Sequence, residues 1–278
     1  MKILFTIAIG VLGLSSLNAQ TLKVPVKSPL CTIKQAVALS EISIDYSRPN
    51  KNGRTIFGEL VPYNTLWRTG ANAPTKITFG EDILLENKEV KAGTYSLFTI
   101  PGETEWTLIL NKNLQMWGTD GYDEKEDILR LQLPVKKVSE ITESFTIQFT
   151  DVKPTTCNLE LVWENVKVSA KISIVIDDKV MKNIESVMTQ DKRPYHQAAQ
   201  YYYDNKKDLN KALEWATKAF ELNPKAYWSS LLKSKIQLDL KDKKGAISSA
   251  EITKKLAEED KDSGYVKQAD EIIEKAKK

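Results

Sequence analysis

The chain has 278 residues, enough for one or two domains, and its 40 basic and 37 acidic residues leave a net charge of +3. A nucleic-acid-binding domain normally carries a clear basic excess, so this balance argues against a nucleic-acid partner. With one histidine, His196, and two distant cysteines, Cys31 and Cys157, the chain also lacks the closely spaced ligands of a zinc or histidine-rich site, and we expect neither a metal nor a cofactor.

The N-terminal residues have the pattern of an export signal. Lys2 precedes an apolar run over residues 3–14, and Leu17-Asn18-Ala19 resembles the small-residue end of a cleavage site. The run is shorter than the ~20 apolar residues of a membrane span, and no later segment is apolar for even about 18 residues. We therefore predict cleavage of residues 1–19 and a soluble, periplasmic or extracellular chain that begins at Gln20 and has no membrane span. In such an oxidising compartment the two cysteines could form one disulfide or remain free thiols.

Between Glu41 and Ile174 the dominant hydrophobic period is two, which is typical of strands with one buried and one solvent-facing side. Runs of this kind lie at residues 42–46, 95–100, 106–111, 129–133, 145–150 and 159–174. Turn-forming residues such as Pro49-Asn50-Lys51-Asn52-Gly53 separate the runs, and no crossover helices fit between them. We therefore predict an antiparallel β-sandwich, or a barrel-like variant, over residues 20–176.

After Ile174 the hydrophobic period changes to the 3.6 residues of amphipathic helices. Val180, Ile184 and Val187 fall at helical spacing, and a charged segment that ends at Pro194 then interrupts the pattern. We predict a helical linker over residues 177–193, followed by an all-α domain over residues 194–278.

The predicted all-α domain contains the spacing of a known helical repeat. Four of its residues match the tetratricopeptide-repeat consensus: Tyr203, Ala212, Ala219 and Pro224. Ala246 follows Ala212 by 34 residues, which is the period of that repeat. The segment therefore resembles tetratricopeptide repeats, with one good unit and one degenerate unit. The alternative is an ordinary small helical bundle.

The densest motifs lie in the first half of the chain. They read Asp45-Tyr46-Ser47-Arg48-Pro49, Gly53-Arg54-Thr55-Ile56-Phe57-Gly58, Trp67-Arg68-Thr69-Gly70-Ala71-Asn72 and Ala92-Gly93-Thr94-Tyr95-Ser96-Leu97-Phe98, with Trp117-Gly118 further on. On these residues the region from about 28 to 174 resembles the exported bacterial family known as domain of unknown function 2911. The resemblance implies export and agrees with a helical repeat tail. It implies no activity, because the family is named for the lack of one.

The segment from Asp45 to Asn72 is the first candidate site. It contains Arg48, Arg54 and Arg68 in a chain whose basic residues are nearly all lysine. A guanidinium beside aromatic rings suits recognition of a carboxylate, a phosphate or a sugar, because it presents a planar fork of donors. The candidates are Arg68 first, with Asn72 beside it, and then Arg48, Arg54, Asp45 and Trp67. The alternative is that the arginines tie loops to carboxylates or carbonyls at the end of the sandwich.

The segment from Trp117 to Asp127 is the second candidate site. Trp117 and Tyr122 flank a glycine-containing loop and could stack on a sugar face. Its carboxylates could bind calcium, but their spacing is not that of the twelve-residue calcium loop. A solvated hairpin loop is the alternative. The other prominent tryptophans are predicted to pack in cores: Trp106, Trp163, Trp215 and Trp228.

No nucleophile elbow, phosphate loop or dinucleotide fingerprint is present in the sequence. We therefore expect a non-enzymatic envelope protein whose sandwich binds a small polar or sugar-like ligand and whose helical tail contacts a protein partner. One alternative is a periplasmic hydrolase, which a pocket uniting Asp45 or Glu59 with Arg68 and Asn72 would favour. The other is a purely structural module, which burial and pairing of the arginines would favour.

Overall fold

The structure, a computed structural model, describes residues 24–190 and 192–278. The predicted signal peptide and the predicted mature N-terminus, Gln20, lie outside the described residues. The described chain divides between Val175 and Ile176 into two compact units, the first built of strands and the second of helices. The predicted β-plus-α architecture in two parts is therefore confirmed.

Ten strands and one short 3-10 helix (Glu124–Glu126) form the first unit over its described residues, 24–175. The strands are β1 (Leu30–Val37), β2 (Ser40–Ser47), β3 (Ala71–Phe79), β4 (Ile83–Leu85), β5 (Lys88–Val90), β6 (Gly93–Pro101), β7 (Glu105–Asn111), β8 (Asp127–Pro134), β9 (Lys136–Thr150) and β10 (Thr156–Ser173). They form an antiparallel sheet in the order β1-β2-β3-β6-β7-β8 and a second in the order β5-β4-β10-β9. Within these residues the two sheets do not close into a barrel.

Strand β2 shows how the alternating pattern builds the sandwich. Its residues Ile42, Ile44 and Tyr46 are buried, whereas Asp45 between them is exposed. The ring of Tyr46 meets Phe145 of β9 edge-on, with 5.8 Å between the ring centroids. Because β2 and β9 belong to different sheets, this contact lies in the core between them. Hydrophobic side chains of both inner faces fill that core, as the period of two predicts.

The second unit contains six helices over residues 176–190 and 192–278. They are α1 (Asp177–Val187), α2 (Tyr195–Asp204), α3 (Leu209–Leu222), α4 (Tyr227–Asp239), α5 (Lys243–Glu259) and α6 (Ser263–Lys277). Helix α1 lies in the predicted linker segment, and its Ile184 is buried in one cluster with Tyr202 and Trp215. It therefore packs as part of the helical unit. No helix in the described part of the chain is long and apolar enough to cross a bilayer.

The four tryptophans predicted to pack do not behave alike. Trp106, Trp163 and Trp215 are buried, as predicted. Trp228, near the start of α4, is 41% exposed, although its ring lies edge-on to Tyr227 at 5.3 Å. A large part of this ring therefore faces solvent, contrary to the prediction.

Both cysteines are free thiols. Cys157 is buried in β10, and its burial raises the pKa of the thiol to about 11, so the group is protonated and unreactive at neutral pH. Cys31 is partly exposed on the edge strand β1, where it lies opposite Tyr46 of β2. The structure thus corresponds to the free-thiol alternative.

Candidate ligand-binding site

A cavity of about 490 Å³ opens beside the connection between β2 and β3. Its cationic lining residues are Lys27, Arg54 and Arg68, its smaller polar ones are Ser28, Asn50 and Asn52, and its larger apolar ones are Leu60, Val61, Trp67 and Trp163. A volume of this size is typical of small-molecule sites, which combine apolar walls with a few polar groups. We call this space the arginine cavity.

A rigid turn from Trp67 to Gly70 carries Arg68. The backbone of Trp67 exchanges two hydrogen bonds with Thr99 of β6, at N···O distances of 2.7 and 2.9 Å. The Trp67 indole Nε1 donates to the Gly70 carbonyl at 3.0 Å and closes the turn. Gly70 has a φ of +152°, and a Cβ there would lie 3.0 Å from the Ser47 carbonyl, so only glycine fits without strain. The turn therefore fixes the backbone from which Arg68 projects.

The turn rests on a cluster of aromatic rings. Trp67 stacks on Trp163 of β10 with 5.9 Å between centroids and an interplanar angle of 18°. Its ring also meets Phe145 at 4.9 Å and Phe57 at 6.3 Å. Trp67 is only 7% exposed, so its ring is mainly the support beneath the arginine cavity and not a free stacking platform.

The guanidinium of Arg68 is incompletely bonded. The side chain is half-buried, and its Nε is inaccessible to solvent and has no hydrogen-bond partner in the part of the chain that the structure describes. A buried donor without a partner costs roughly 1–3 kcal/mol. Arg68 therefore does not have the bonding of a structural brace, although its side chain lines the arginine cavity.

Arg54 and Lys27 bring two more positive charges to the same cavity, and both are exposed. The Arg54 guanidinium is held in place by the carbonyls of Asn50 and Lys51, which accept from Nη2 at 2.6 Å and from Nε at 3.0 Å. No lining residue is Asp or Glu, and among residues 24–190 and 192–278 none of the three cations forms an ion pair. The lining therefore carries three cations and no carboxylate, although the Glu143 carboxylate accepts from the N–H of the lining residue Asn52 at 2.7 Å.

The sequence profile of a protein family of unknown function, DUF2911, matches residues 28–172, just over half of the chain. The chain belongs to the DUF2911 family. No curated protein and no solved structure matches it. Ser28 is the first matched residue, so every residue lining the arginine cavity except Lys27 lies within the DUF2911 region.

Arg48 and Asp45 of the first candidate segment do not line the arginine cavity. Arg48 donates to the Phe145 carbonyl at 3.1 Å and to Thr146 Oγ1 at 2.7 Å, which ties the end of β2 to β9. Asp45 is exposed and accepts a hydrogen bond from Thr32 on the neighbouring strand β1 at 2.5 Å. Their partners give these two side chains structural roles.

Asn72 also has structural partners. Its Nδ2 donates to Ser47 Oγ at 3.1 Å and to the Ser28 carbonyl at 3.3 Å, and its φ is +61°, a conformation that asparagine tolerates well. Ser28 is itself a lining residue of the arginine cavity. Asn72 thus holds the segment before β1 against the cavity and does not face the cavity itself.

The second candidate loop of the DUF2911 region lies outside the arginine cavity. Trp117 is 66% exposed, and the next residue, Gly118, donates its N–H to the Asn72 carbonyl at 3.2 Å. The Tyr122 hydroxyl donates to Asp127 at 2.6 Å, and burial of the ring raises its pKa. No group of three or more His, Cys, Asp or Glu side chains placed to hold a metal ion occurs among the described residues.

Sequence reasoning missed several residues of the arginine cavity. Asn50 and Asn52 lie in a segment that the sequence identifies only as a turn, and Leu60 and Val61 have no chemical signal. Lys27 precedes the first strand and belongs to no periodic pattern. The one usable signal was the concentration of arginines, which identified Arg54 and Arg68.

Proposed function

We propose that this chain is an exported binding protein whose β unit takes up a small anionic ligand in the arginine cavity. The observation that carries the proposal is the guanidinium of Arg68, which is fixed on a rigid turn and has a buried Nε without a partner. Buried polar groups in proteins are nearly always hydrogen-bonded, so an exception needs an explanation. An anion bound through the outer nitrogens of this guanidinium would give the fold a reason to keep it unpaired, because guanidinium binds carboxylates and phosphates through paired hydrogen bonds.

Binding fits the lining better than the two alternative functions. A hydrolase needs a general base, and the lining consists of cations, amides, one serine and apolar groups, with Asp45, Glu59 and Asn72 outside it. A purely structural module would pair its arginines, as Arg48 is paired, whereas Arg68 is not. The lining therefore favours ligand binding, and the hydrolase and the structural module are the weaker alternatives.

Calorimetric titration with simple anions tests the proposal. Acetate, benzoate, phosphate and sulfate are the probes, and at least one should bind the wild-type protein and raise its melting temperature through mass action. Arg68→Gln should lose the binding. Arg68→Lys should keep only a weak remainder, because lysine retains the charge but not the planar fork. Absence of binding by all four anions would overturn the proposal.

The matched control is Arg193→Gln in the helical unit. Arg193 is exposed and donates only to nearby groups, the Gln190 carbonyl at 3.1 Å and Tyr195 at 3.3 Å. Its removal takes one positive charge from the protein, as Arg68→Gln does. Equal loss of anion binding in both variants would show non-specific attraction to the net charge and not a site.

Export is part of the proposal and rests on the sequence pattern of residues 1–19. We propose that the mature chain begins at Gln20. The intact mass of the protein isolated from its native host measures this directly. A mass that includes residues 1–19 would contradict export by cleavage.

For the helical unit we propose two tetratricopeptide-like units, α2–α3 and α4–α5, that contact a protein partner. The aspartates that cap α3 and α5, Asp208 and Asp242, are 34 residues apart, as are the fully buried Ala212 and Ala246. Trp228 is the large exposed ring of this unit. Cross-linking of the native envelope followed by mass spectrometry should find a partner at α4, and Trp228→Ser should remove that cross-link. Unchanged cross-links in the variant would contradict a role for this surface.

A further inference from the structure

We infer that the ligand of the arginine cavity carries two separate carboxylates, one bound by Arg68 and the other by Arg54 and Lys27. This inference rests on the proposed function and specifies the class of ligand. Its basis is the arrangement of three cations that differ in burial and in the donors that they leave free.

The three cations of the cavity differ in burial. Arg68 is half-buried, whereas Arg54 and Lys27 are exposed and therefore belong to the rim. A carboxylate bound at Arg68 is partly withdrawn from water, where charge-assisted hydrogen bonds are stronger. A second carboxylate at the rim remains solvated and gains the smaller energy of an exposed ion pair. A ligand with two carboxylates can place one at the half-buried position and the other at the rim.

Two hydrogen bonds hold the Arg54 guanidinium at the rim of the cavity. The carbonyls of Asn50 and Lys51 engage its Nη2 and its Nε, so the side chain is immobilised before a ligand arrives. Its Nη1 remains for an incoming acceptor, since the guanidinium has five N–H donors and these two contacts use two of them. Pre-organisation of this kind lowers the entropy cost of binding.

The charges around the cavity indicate a ligand with more than one negative group. Lys51, the neighbour of two lining residues, pairs with Glu164 at 3.5 Å, and the Glu143 carboxylate accepts from the Asn52 N–H at 2.7 Å, whereas the three lining cations have no ion-pair partner in the described chain. A monoanion would leave two of them uncompensated. A dicarboxylate leaves one, and the amides of Asn50 and Asn52 supply neutral hydrogen-bonding groups in the same lining. The charge balance therefore favours two carboxylates on one skeleton.

The test compares ligands of equal length and different charge distribution. Linear dicarboxylates of four to eight carbons are titrated into the full mature chain by calorimetry, each beside the monocarboxylate of the same length. Hexyl phosphate is the third probe, because it carries nearly two negative charges on a single group. We expect the best dicarboxylate to bind about tenfold more tightly than both its monocarboxylate and hexyl phosphate. The best chain length then reports the spacing of the two positions.

Three variants assign the ends of the ligand. Lys27→Gln removes a rim cation that has no structural partner in the described chain, and together with Arg54→Gln it should remove the tenfold preference for the dicarboxylate, while the loss of two positive charges weakens the binding of both acids. Lys27→Gln alone keeps the test valid if the double variant unfolds, and it should produce part of the same loss. Arg68→Gln should abolish binding of both acids.

The outcomes separate this inference from the proposed function. If mono- and dicarboxylates bind equally well and both depend on Arg68, the cavity is an anion site and the two-carboxylate ligand is wrong. If hexyl phosphate binds best, the ligand is a phosphate ester and the inference is again wrong. If none of the probes binds, both the inference and the proposed function fail.

Discussion

Two loops of the β unit have similar composition and opposite bonding. The β2–β3 connection and the segment from Trp117 to Asp127 both combine tryptophan, glycine and charged residues. In the second segment the charged groups satisfy one another: Tyr122 and Asn111 donate to Asp127 at 2.6 and 2.8 Å, and Arg130 pairs with Glu124. In the first, Arg68 faces a cavity with a donor unused.

The comparison shows that residue type does not by itself identify a binding site. A polar network that is complete within the protein has little left to offer a ligand, and removing one member mainly costs stability. A polar group that the fold holds rigidly but leaves unpaired costs stability in the free protein and becomes useful when a ligand arrives. The two loops thus predict opposite responses to substitution.

The largest effect is expected for Trp67→Ala. The variant removes a nearly buried ring that contacts Trp163, Phe145 and Phe57, and such substitutions cost about 3–5 kcal/mol of unfolding free energy. It also removes the indole donor to Gly70 that closes the turn carrying Arg68. Urea unfolding measures the loss, and anion binding should disappear even where the variant is still folded. A loss below about 1 kcal/mol would show that the aromatic cluster does not support the turn.

Tyr122→Phe tests the segment from Trp117 to Asp127, whose polar groups are hydrogen-bonded within the protein. It removes a 2.6 Å hydrogen bond to the carboxylate of Asp127, and we expect a loss of about 1.5–3 kcal/mol with unchanged anion binding. The pKa of Tyr122 is raised in the folded protein, so its neutral form contributes stability that is complete below the ordinary tyrosine pKa near 10 and declines above it. The free energies of unfolding of variant and wild type should therefore approach each other as the pH rises from 7 to about 11. Weakened anion binding would contradict the separation of the two loops.

The comparison also separates what the sequence predicts from what it does not. Alternation along β2 predicts its buried face, because the period of two is a local property of a strand. No local pattern of this kind shows that Arg48 is paired in the fold and Arg68 is not. Arg48 finds its acceptors on Phe145 and Thr146, 97 and 98 residues further along the chain, so its pairing depends on the packing of two sheets.

The candidate site was predictable only in part for the same reason. The aromatic neighbour and Gly70 identify the turn that carries Arg68, since both features are local. Lys27 reaches the arginine cavity from a segment before β1 whose position depends on contacts across the fold, such as the hydrogen bond from Asn72 to the Ser28 carbonyl at 3.3 Å. No pattern in the sequence connects these elements.

Arg48→Gln and Arg68→Gln form a matched pair within one segment. Arg48→Gln should cost about 1–3 kcal/mol, because it leaves the Phe145 carbonyl without its guanidinium partner. Arg68→Gln should change stability by less than about 0.5 kcal/mol or increase it, since it removes a buried donor that has no acceptor. Denaturant melts without added anions measure both. A loss of several kcal/mol for Arg68→Gln would assign it the bracing role and reject the binding site.

The smallest effect is expected for Trp117→Ala. This ring is 66% exposed, so its removal should change the unfolding free energy by no more than about 0.5 kcal/mol. Trp67→Ala removes the same type of side chain from a buried position, which is why its expected effect is much larger. The backbone hydrogen bond from Gly118 to Asn72 does not involve the ring and should persist. Anion binding should also be unchanged, because Trp117 does not line the arginine cavity. If Trp117→Ala weakens anion binding while leaving the melt unchanged, the exposed ring contacts the bound ligand, and the site extends from the cavity to the second loop.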